Sequence, residues 1–262
     1  MKTRLGQNFL VDKNIAQKIT DVCGAASGIT LIEIGPGKGI LTEELLKRYD
    51  KVIAVELDKK LYEGLLKKFA VNKNIEIVNA DFLKWNIPEP QNRYHFVANI
   101  PYYITSPIIE KVLNCDGWDI AVFMVQKEVA ERIVAGENSS ARGVLSITCQ
   151  IMSEAEIMFD VPPNAFCPAP GVISSVICLK RLVSPQVEKS RRMFFINTVK
   201  AAFAYRRKTI ANSLSLSLGL DKNTINALLI KSGIQPKTRA ENVLINEYYA
   251  LSINLGFLYD KK

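Results

Sequence analysis

Four consecutive residues near position 100 combine groups that could activate an amine. Asn99 supplies a side-chain carbonyl, Ile100 and Pro101 supply backbone carbonyls, and Tyr102 supplies an aromatic ring. An amine on an aromatic base is a poor nucleophile because its lone pair is delocalised into the ring. Two acceptors, the Asn99 side chain and the carbonyl of Ile100 or Pro101, could draw that lone pair out of the plane while Tyr102 stacks on the base. The residues therefore predict transfer to an exocyclic amine, with an Asn/Pro turn as the structural alternative.

A glycine-rich turn follows the first predicted strand, 30–34. Gly35, Gly37 and Gly39 have the spacing Gly-x-Gly-x-Gly, which lets the backbone approach a ligand closely. This spacing differs from the Gly-x-Gly-x-x-Gly of dinucleotide-binding proteins. With the acidic Glu33 just upstream, it favours a ligand that carries a sulfonium and an amino acid over one that carries a pyrophosphate.

Two further strand ends carry carboxylates. Glu56 ends the second predicted strand and could accept both hydroxyls of a ribose. Asp81 and Phe82 end the third, where they could accept from an adenine amine and cover its ring. Each carboxylate alone could instead be a helix N-cap. Because the carboxyl ends of parallel strands meet at one edge of a sheet, the three ends together predict an adenosine-shaped crevice and S-adenosylmethionine as the donor.

The composition argues against several other chemistries. The chain contains one histidine, His95, in a strand-like setting, and five scattered cysteines without a Cys-x-x-Cys pair. We therefore expect no metal site and no disulfide framework. No apolar run approaches the roughly 20 residues that cross a bilayer, and the first residues lack the apolar core of a secretory signal. We expect a cytoplasmic protein with no membrane partner.

The positive charge of the chain is concentrated in its last third. The net charge is +8; residues 1–183 contain 21 basic and 21 acidic residues, whereas residues 184–262 contain 13 and 5. A basic segment beside a neutral body favours a polyanionic partner, nucleic acid before membrane. A solvated helical face is the alternative interpretation.

Short apolar runs alternate with helical periodicity between residues 29 and 180. Repeated strand–helix–strand units predict an α/β fold, a doubly wound, Rossmann-like parallel sheet with right-handed crossovers. Two later strands, 155–159 and 172–179, would add an antiparallel edge. The parallel strands are predicted at 30–34, 51–55, 75–78, 96–98 and 120–125, and the first helices at 41–48 and 59–69.

Helical periodicity replaces the strand signals after residue 182. We therefore predict a methyltransferase domain at 1–183 and a small, basic, helical domain at 184–262 that docks on RNA. The helices of this domain are predicted at 189–204, 209–218, 224–231 and 247–255.

Five motifs, in order along the chain, resemble those of the ribosomal RNA adenine N6,N6-dimethyltransferases. Besides residues 99–102, they are LGQNFL at 5–10, VQKEV at 125–129, VPPNAFCP at 161–168 and AYRRKTIANS at 204–213. The resemblance runs from Leu5 to about Asn242. It is strongest to the small-subunit branch, which is associated with kasugamycin sensitivity.

The resemblance implies a function in small-subunit biogenesis. The substrate would be two adjacent adenosines in a hairpin near the 3′ end of small-subunit rRNA, within an immature ribosomal particle, each methylated twice on N6. We expect a monomer that transfers the methyl group directly from the sulfonium and uses no general base. The residues expected to bind the donor are Asn8, Leu10, Gly35, Gly37, Glu56, Asp81, Phe82 and Asn99. The residues expected at the target adenine are Asn99, Pro101, Tyr102 and Phe166, and those expected to contact RNA are Arg206, Arg207 and Lys208.

One departure and two alternatives stay open at this stage. Gly171 stands where the family has a lysine, which removes a candidate phosphate contact. Large-subunit rRNA dimethylases of the macrolide-resistance type share several motifs, although segments 205–208 and 239–242 favour the small-subunit branch. A non-catalytic RNA-binding assembly or transcription factor on the same scaffold is the other alternative, against which the intact Asn99, Glu56 and Asp81 argue.

Overall fold

The computed structural model describes residues 8–24, 27–88 and 93–259, and the chain divides into two compact units. Among the described residues, the first unit extends to residue 130 and includes 154–181, and the second comprises 131–153 and 182–259. The strands are β1 Phe9–Leu10, β2 Thr30–Ile34, β3 Lys51–Glu56, β4 Ile75–Asn79, β5 Tyr94–Asn99, β6 Trp118–Gln126, β7 Ser153–Val161, β8 Phe166–Cys167 and β9 Ser174–Arg181. The helices are α1 Lys13–Cys23, α2 Ile40–Leu45, α3 Lys59–Lys68, α4 Thr105–Asn114, α5 Lys127–Val134, α6 Val144–Gln150, α7 Lys189–Phe203, α8 Ile210–Leu218, α9 Lys222–Lys231 and α10 Ile245–Tyr259.

A seven-stranded mixed sheet organises the first unit. Its order is β4-β3-β2-β5-β6-β9-β7; the first five strands are parallel and β9 runs antiparallel to β6. This sheet, with the helical region that follows it, confirms the predicted α/β, Rossmann-like fold. Each predicted strand is present, with ends shifted by at most two residues.

The register of the parallel strands aligns their carboxyl ends. Ile34 pairs with Val55 on one side and with Ala98 on the other, and Glu56 pairs with Asn79. The central strands are buried along nearly their whole length, as expected for parallel strands covered on both faces. The polar residues that follow these strands therefore emerge at one edge.

Four helices were missed by the sequence prediction: α1, α4, α5 and α6. The start of α1 has a recognisable signal, because the Asp12 carboxylate accepts from the amides of Asn14 (2.8 Å) and Ile15 (3.2 Å). Ala16, Ile19 and Cys23 form its buried face. Across the described ranges, no helix is both long enough and apolar enough to traverse a bilayer.

The second unit contains a segment that the sequence prediction assigned to the first domain, 131–153. Arg142 in this segment is buried, and its Nη1 donates to the carbonyls of Glu241 (3.0 Å) and Val243 (2.7 Å). These bonds join positions about a hundred residues apart, which a local sequence pattern does not reveal. The functional division into domains at 1–183 and 184–262 stays a prediction.

A carboxyl group lies buried where β2 meets α2. Glu33 is 1% exposed, and its Oε2 accepts a 2.6 Å hydrogen bond from Thr42 Oγ1. Burial raises the pKa of Glu33 to about 7, although the Thr42 bond opposes the shift. The folded chain therefore binds a proton here that the unfolded chain releases at lower pH.

The substitution Glu33→Gln should alter how folding stability depends on pH. Below the ordinary pKa of 4.5, the carboxyl is protonated in both the folded and the unfolded chain, so ionisation does not affect stability. As the pH rises through 7, the unfolded chain gains more from ionisation than the folded chain, and the folded state loses stability. We expect the free energy of unfolding of the native chain, relative to Glu33→Gln, to fall by about 2–3 kcal/mol between about pH 5 and pH 8. Urea unfolding at several pH values measures this difference. A difference that stays constant with pH would contradict it.

Candidate active site

A cleft opens at the carboxyl ends of β2, β3, β4 and β5. It has an empty volume of about 1150 Å³, including the part open to solvent. Twelve of the residues singled out from the sequence line it: Asn8, Leu10, Glu33, Gly35, Gly37, Glu56, Asp81, Phe82, Asn99, Ile100, Pro101 and Tyr102. The predicted donor-binding residues are thus brought together, as the alignment of the strand ends requires.

The glycine turn gives the cleft its backbone wall. Gly35 and Gly37 have φ values of 66° and 58°, a region that favours glycine. A Cβ atom on Gly37 would lie 3.1 Å from the ring of Phe9, so glycine also makes room for that ring. Lys38 Nζ lies 5.0 Å from the centre of the same ring. Phe9 was not predicted as a site residue, although it belongs to the first of the five motifs.

The carboxylate of Glu56 is held in one orientation. Its Oε2 accepts from the amide of Gly37 (3.0 Å) and its Oε1 from the amide of Asp58 (2.9 Å). Burial raises the pKa of Glu56, and these backbone hydrogen bonds oppose the shift. Each oxygen retains a second lone pair, so the carboxylate can still accept two hydroxyls.

Asp81 and Phe82 lie on a single turn after β4. Asp81 Oδ1 accepts from the amide of Leu83 at 2.9 Å, which fixes the carboxylate at the rim of the cleft. Phe82 is 5% exposed and meets Phe96 edge to face, with ring centres 6.4 Å apart. The turn therefore offers one acidic and one aromatic group side by side.

The side-chain amide of Asn99 is oriented by the backbone of Asn8, the residue before β1. Its Nδ2 donates to the carbonyl of Asn8 at 3.1 Å, which assigns Oδ1 as the acceptor. The carbonyl of Pro101 accepts from the amide of Ile104 at 3.1 Å. Because the Pro101 carbonyl already has this donor, we expect the carbonyl of Ile100 to be the second acceptor for the protons of the target amine.

The ring of Tyr102 is positioned by strand β9. Its Oη lies 3.2 Å from Ser174 Oγ, and Thr105 Oγ1 donates to its carbonyl at 3.3 Å. The tyrosine lines the cleft beside Asn99. Ser174 was not predicted as a site residue, because its contact with Tyr102 depends on the pairing of β9 with β6.

Phe166 lies outside the lining of the cleft. It pairs with Leu10 across the small sheet of β1 and β8 and is 4% exposed within a hydrophobic cluster. The structure thus does not bring it together with Tyr102 in the cleft wall. Its predicted contact with the target base stays a prediction.

The predicted RNA-contacting residues lie in the second unit. Arg206, Arg207 and Lys208 occupy the exposed turn between α7 and α8, where Arg206 Nη2 donates to the carbonyl of Ser140 at 2.9 Å. Gly171 is exposed, and a Cβ there would meet no atom within 4 Å. Local packing therefore does not require glycine at this position.

Comparisons with known proteins identify the family of the chain. Residues 1–255 match the family model described as ribosomal RNA adenine dimethylase. The chain is 40% identical over 263 residues to ribosomal RNA small subunit methyltransferase A of Caldanaerobacter subterraneus, which covers 98% of each chain. It is 40% identical to the protein of the same name from Clostridium botulinum, over 95% of this chain and 91% of that one.

Two solved structures share the fold over most of their length. The 23S rRNA methyltransferase ErmE is 28% identical with a TM-score of 0.71, covering 95% of this chain and all of that one. A dimethyladenosine transferase from Plasmodium falciparum is 24% identical with a TM-score of 0.82, covering 95% and 98%. The resemblance seen in the five motifs is confirmed: this chain belongs to the ribosomal RNA adenine dimethylase family.

Proposed function

We propose that the chain uses S-adenosylmethionine to dimethylate N6 of two adjacent adenosines near the 3′ end of small-subunit rRNA. The observation that carries the proposal is the orientation of Asn99, whose Oδ1 is left as an acceptor beside the strand-end carboxylates of one cleft. The relatives at 40% identity, named for the small subunit, support that branch over the large-subunit alternative.

The chemistry of the cleft suits the methyl donor. Glu56 would accept from the ribose hydroxyls, Asp81 from the adenine amine, and Phe82 would cover the adenine ring. Glu56 and Asp81 give the lining acidic groups that suit a cation. S-adenosylmethionine, when bound, supplies an electrophilic methyl group from its sulfonium.

The remaining contacts of the donor would come from the glycine turn and from residues 8–10. Gly35 and Gly37 offer backbone close to the cleft, and Asn8 and Leu10 line its other side. These residues enclose the donor through backbone and apolar contacts, so they would orient it without taking part in a proton transfer.

The acceptor side of the cleft performs no proton transfer in this mechanism. Asn99 Oδ1 and the carbonyl of Ile100 would accept the two protons of the N6 amine and direct its lone pair toward the methyl group. Tyr102 would stack on the base and hold it in line. The methylated amine is acidic enough to lose its proton to water, which fits a chain whose single histidine, His95, is buried in β5.

The second unit would dock on the RNA. Arg206, Arg207 and Lys208 are exposed and would bind phosphates, while base pairing and shape in the immature small-subunit particle would present the hairpin. We propose that the chain acts as a monomer in the cytoplasm.

Glu56→Ala should weaken binding of S-adenosylmethionine. The loss removes charge-assisted hydrogen bonds to the ribose, so we expect about 1.5–3 kcal/mol of binding free energy to be lost. Titration calorimetry measures the affinity, and Glu63→Ala, an exposed carboxylate on α3, serves as the control. An unchanged affinity in a folded Glu56→Ala protein would remove Glu56 from the donor site.

Neutralising Arg206, Arg207 and Lys208 together should reduce the salt dependence of RNA binding. Three lost phosphate contacts should flatten the slope of log affinity against log salt by about two to three units. Binding to immature small subunits at several salt concentrations measures the slope. The matched control neutralises three exposed lysines of the same unit, Lys222, Lys231 and Lys237. An equal slope for the native and triple variants would place the docking surface elsewhere.

Asn99→Ala should impair turnover more than binding. Its carbonyl helps chiefly as the new bond forms, so we expect kcat to fall by roughly a hundredfold or more while RNA affinity stays nearly unchanged. The assay follows radiolabelled methyl transfer to immature small subunits at saturating donor, with donor affinity measured separately because Asn99 also lines the donor site.

The same assay tests the proposed function as a whole. The native chain should modify small-subunit rRNA and leave large-subunit rRNA unmodified, and Asn114→Ala, an exposed asparagine on α4, should retain native turnover. Transfer to large-subunit rRNA would favour the macrolide-resistance type, and absence of transfer would favour a non-catalytic RNA-binding role. Near-native turnover of Asn99→Ala would refute the amine-activation mechanism.

A further inference from the structure

A lysine on α4 holds the turn that carries Asp81 and Phe82. Lys111 Nζ donates to the carbonyls of Phe82 (2.6 Å) and Trp85 (2.5 Å). The same ammonium lies 5.1 Å from the centre of the Phe82 ring. Two carbonyls and a ring face are groups that a cation binds well. Lys111 does not line the cleft, so it acts on the turn and not on a ligand.

The turn depends on outside donors for its carbonyls. Within the turn, the backbone carbonyl of Asp81 accepts hydrogen bonds from the amides of Lys84 (2.9 Å) and Trp85 (2.8 Å). The side-chain Oδ1 of Asp81 accepts from the amide of Leu83. A single turn has no further turn of helix to bond its last carbonyls. Lys111 supplies those bonds, and a cation is also favoured at that end of a helical turn.

The ammonium is held there at a cost. Burial lowers the pKa of Lys111, and the charge of Asp81 partly offsets the shift. The two hydrogen bonds and the contact with the Phe82 ring offset that cost. The turn that they hold sets both the direction of the Asp81 carboxylate and the position of the Phe82 ring. Without the lysine, the two carbonyls would need water and the turn would lose its defined shape.

We infer that Lys111 is a positioning residue for recognition of the donor's adenine ring, acting through the turn at 81–85. The inference rests on the proposed function, because it takes the donor to be S-adenosylmethionine. If Lys111 positions the turn, its loss should reduce the preference for ligands that carry the adenine amine, which Asp81 would bind. If Lys111 had only a structural role, its loss would weaken the binding of ligands with and without the amine by the same factor.

The test compares two ligands that differ at the base amine. S-adenosylhomocysteine carries the amine, and S-inosylhomocysteine carries an oxygen in its place. We expect the native chain to prefer the first by roughly tenfold or more, because the second leaves Asp81 without its donor. Lys111→Met should weaken binding of S-adenosylhomocysteine roughly tenfold and narrow the preference to about twofold. Lys111→Arg, which can still donate to both carbonyls, should restore the preference to within about threefold of native.

The control is Lys84→Met, which removes the same charge from an exposed position in the same turn and should retain the native preference. Thermal unfolding verifies that each variant is folded. If Lys111→Met does not fold, Lys111→Gln replaces it, since its shorter side chain cannot span both carbonyls. Equal weakening of both ligands, or no weakening of either, would overturn the inference. Failure of the native chain to bind S-adenosylhomocysteine would instead overturn the proposed function.

Discussion

The hydrogen-bond register of the parallel strands is the constraint on which the site depends. Pairing of Ile34 with Val55 and Ala98, and of Glu56 with Asn79, brings four strand ends to one edge of the sheet. The side chains that follow these ends are far apart in sequence and need no long-range signal of their own to meet. A shift of one strand by one residue would turn its side chains to the other face and remove one wall of the cleft.

Residues 8–10, which are β1 and the residue before it, contact several parts of the cleft. The carbonyl of Asn8 orients Asn99, the ring of Phe9 fills the space left by Gly37, and Leu10 pairs with Phe166 on β8. Residues 8–10 therefore contact the glycine turn, Asn99 and strand β8. The donor and acceptor sides of the cleft therefore both depend on the placement of this segment.

The fold and the cleft could be predicted from local patterns, and the supporting contacts could not. Buried, β-branched runs identified the strands, and the residues after each strand identified Glu56, Asp81 and Asn99. By contrast, Arg142 reaches residues about a hundred positions away, and Lys111 reaches Trp85 across 26 positions. The assignment of 131–153 to the second unit and the burial of Phe166 likewise depend on tertiary packing. Such contacts leave no periodicity in the sequence.

The hydrogen bond between Asn99 and Asn8 constrains the backbone at position 8. The acceptor in that bond is a backbone carbonyl, so any residue that keeps the same path of the chain at position 8 preserves the orientation of the amide. A shift of β1 by one residue against β8, by contrast, would place a different carbonyl opposite Asn99 and a neighbouring side chain against the glycine turn. The bond between Asn8 and Asn99 therefore constrains the path of the chain around position 8 and by itself places no requirement on the side chain there.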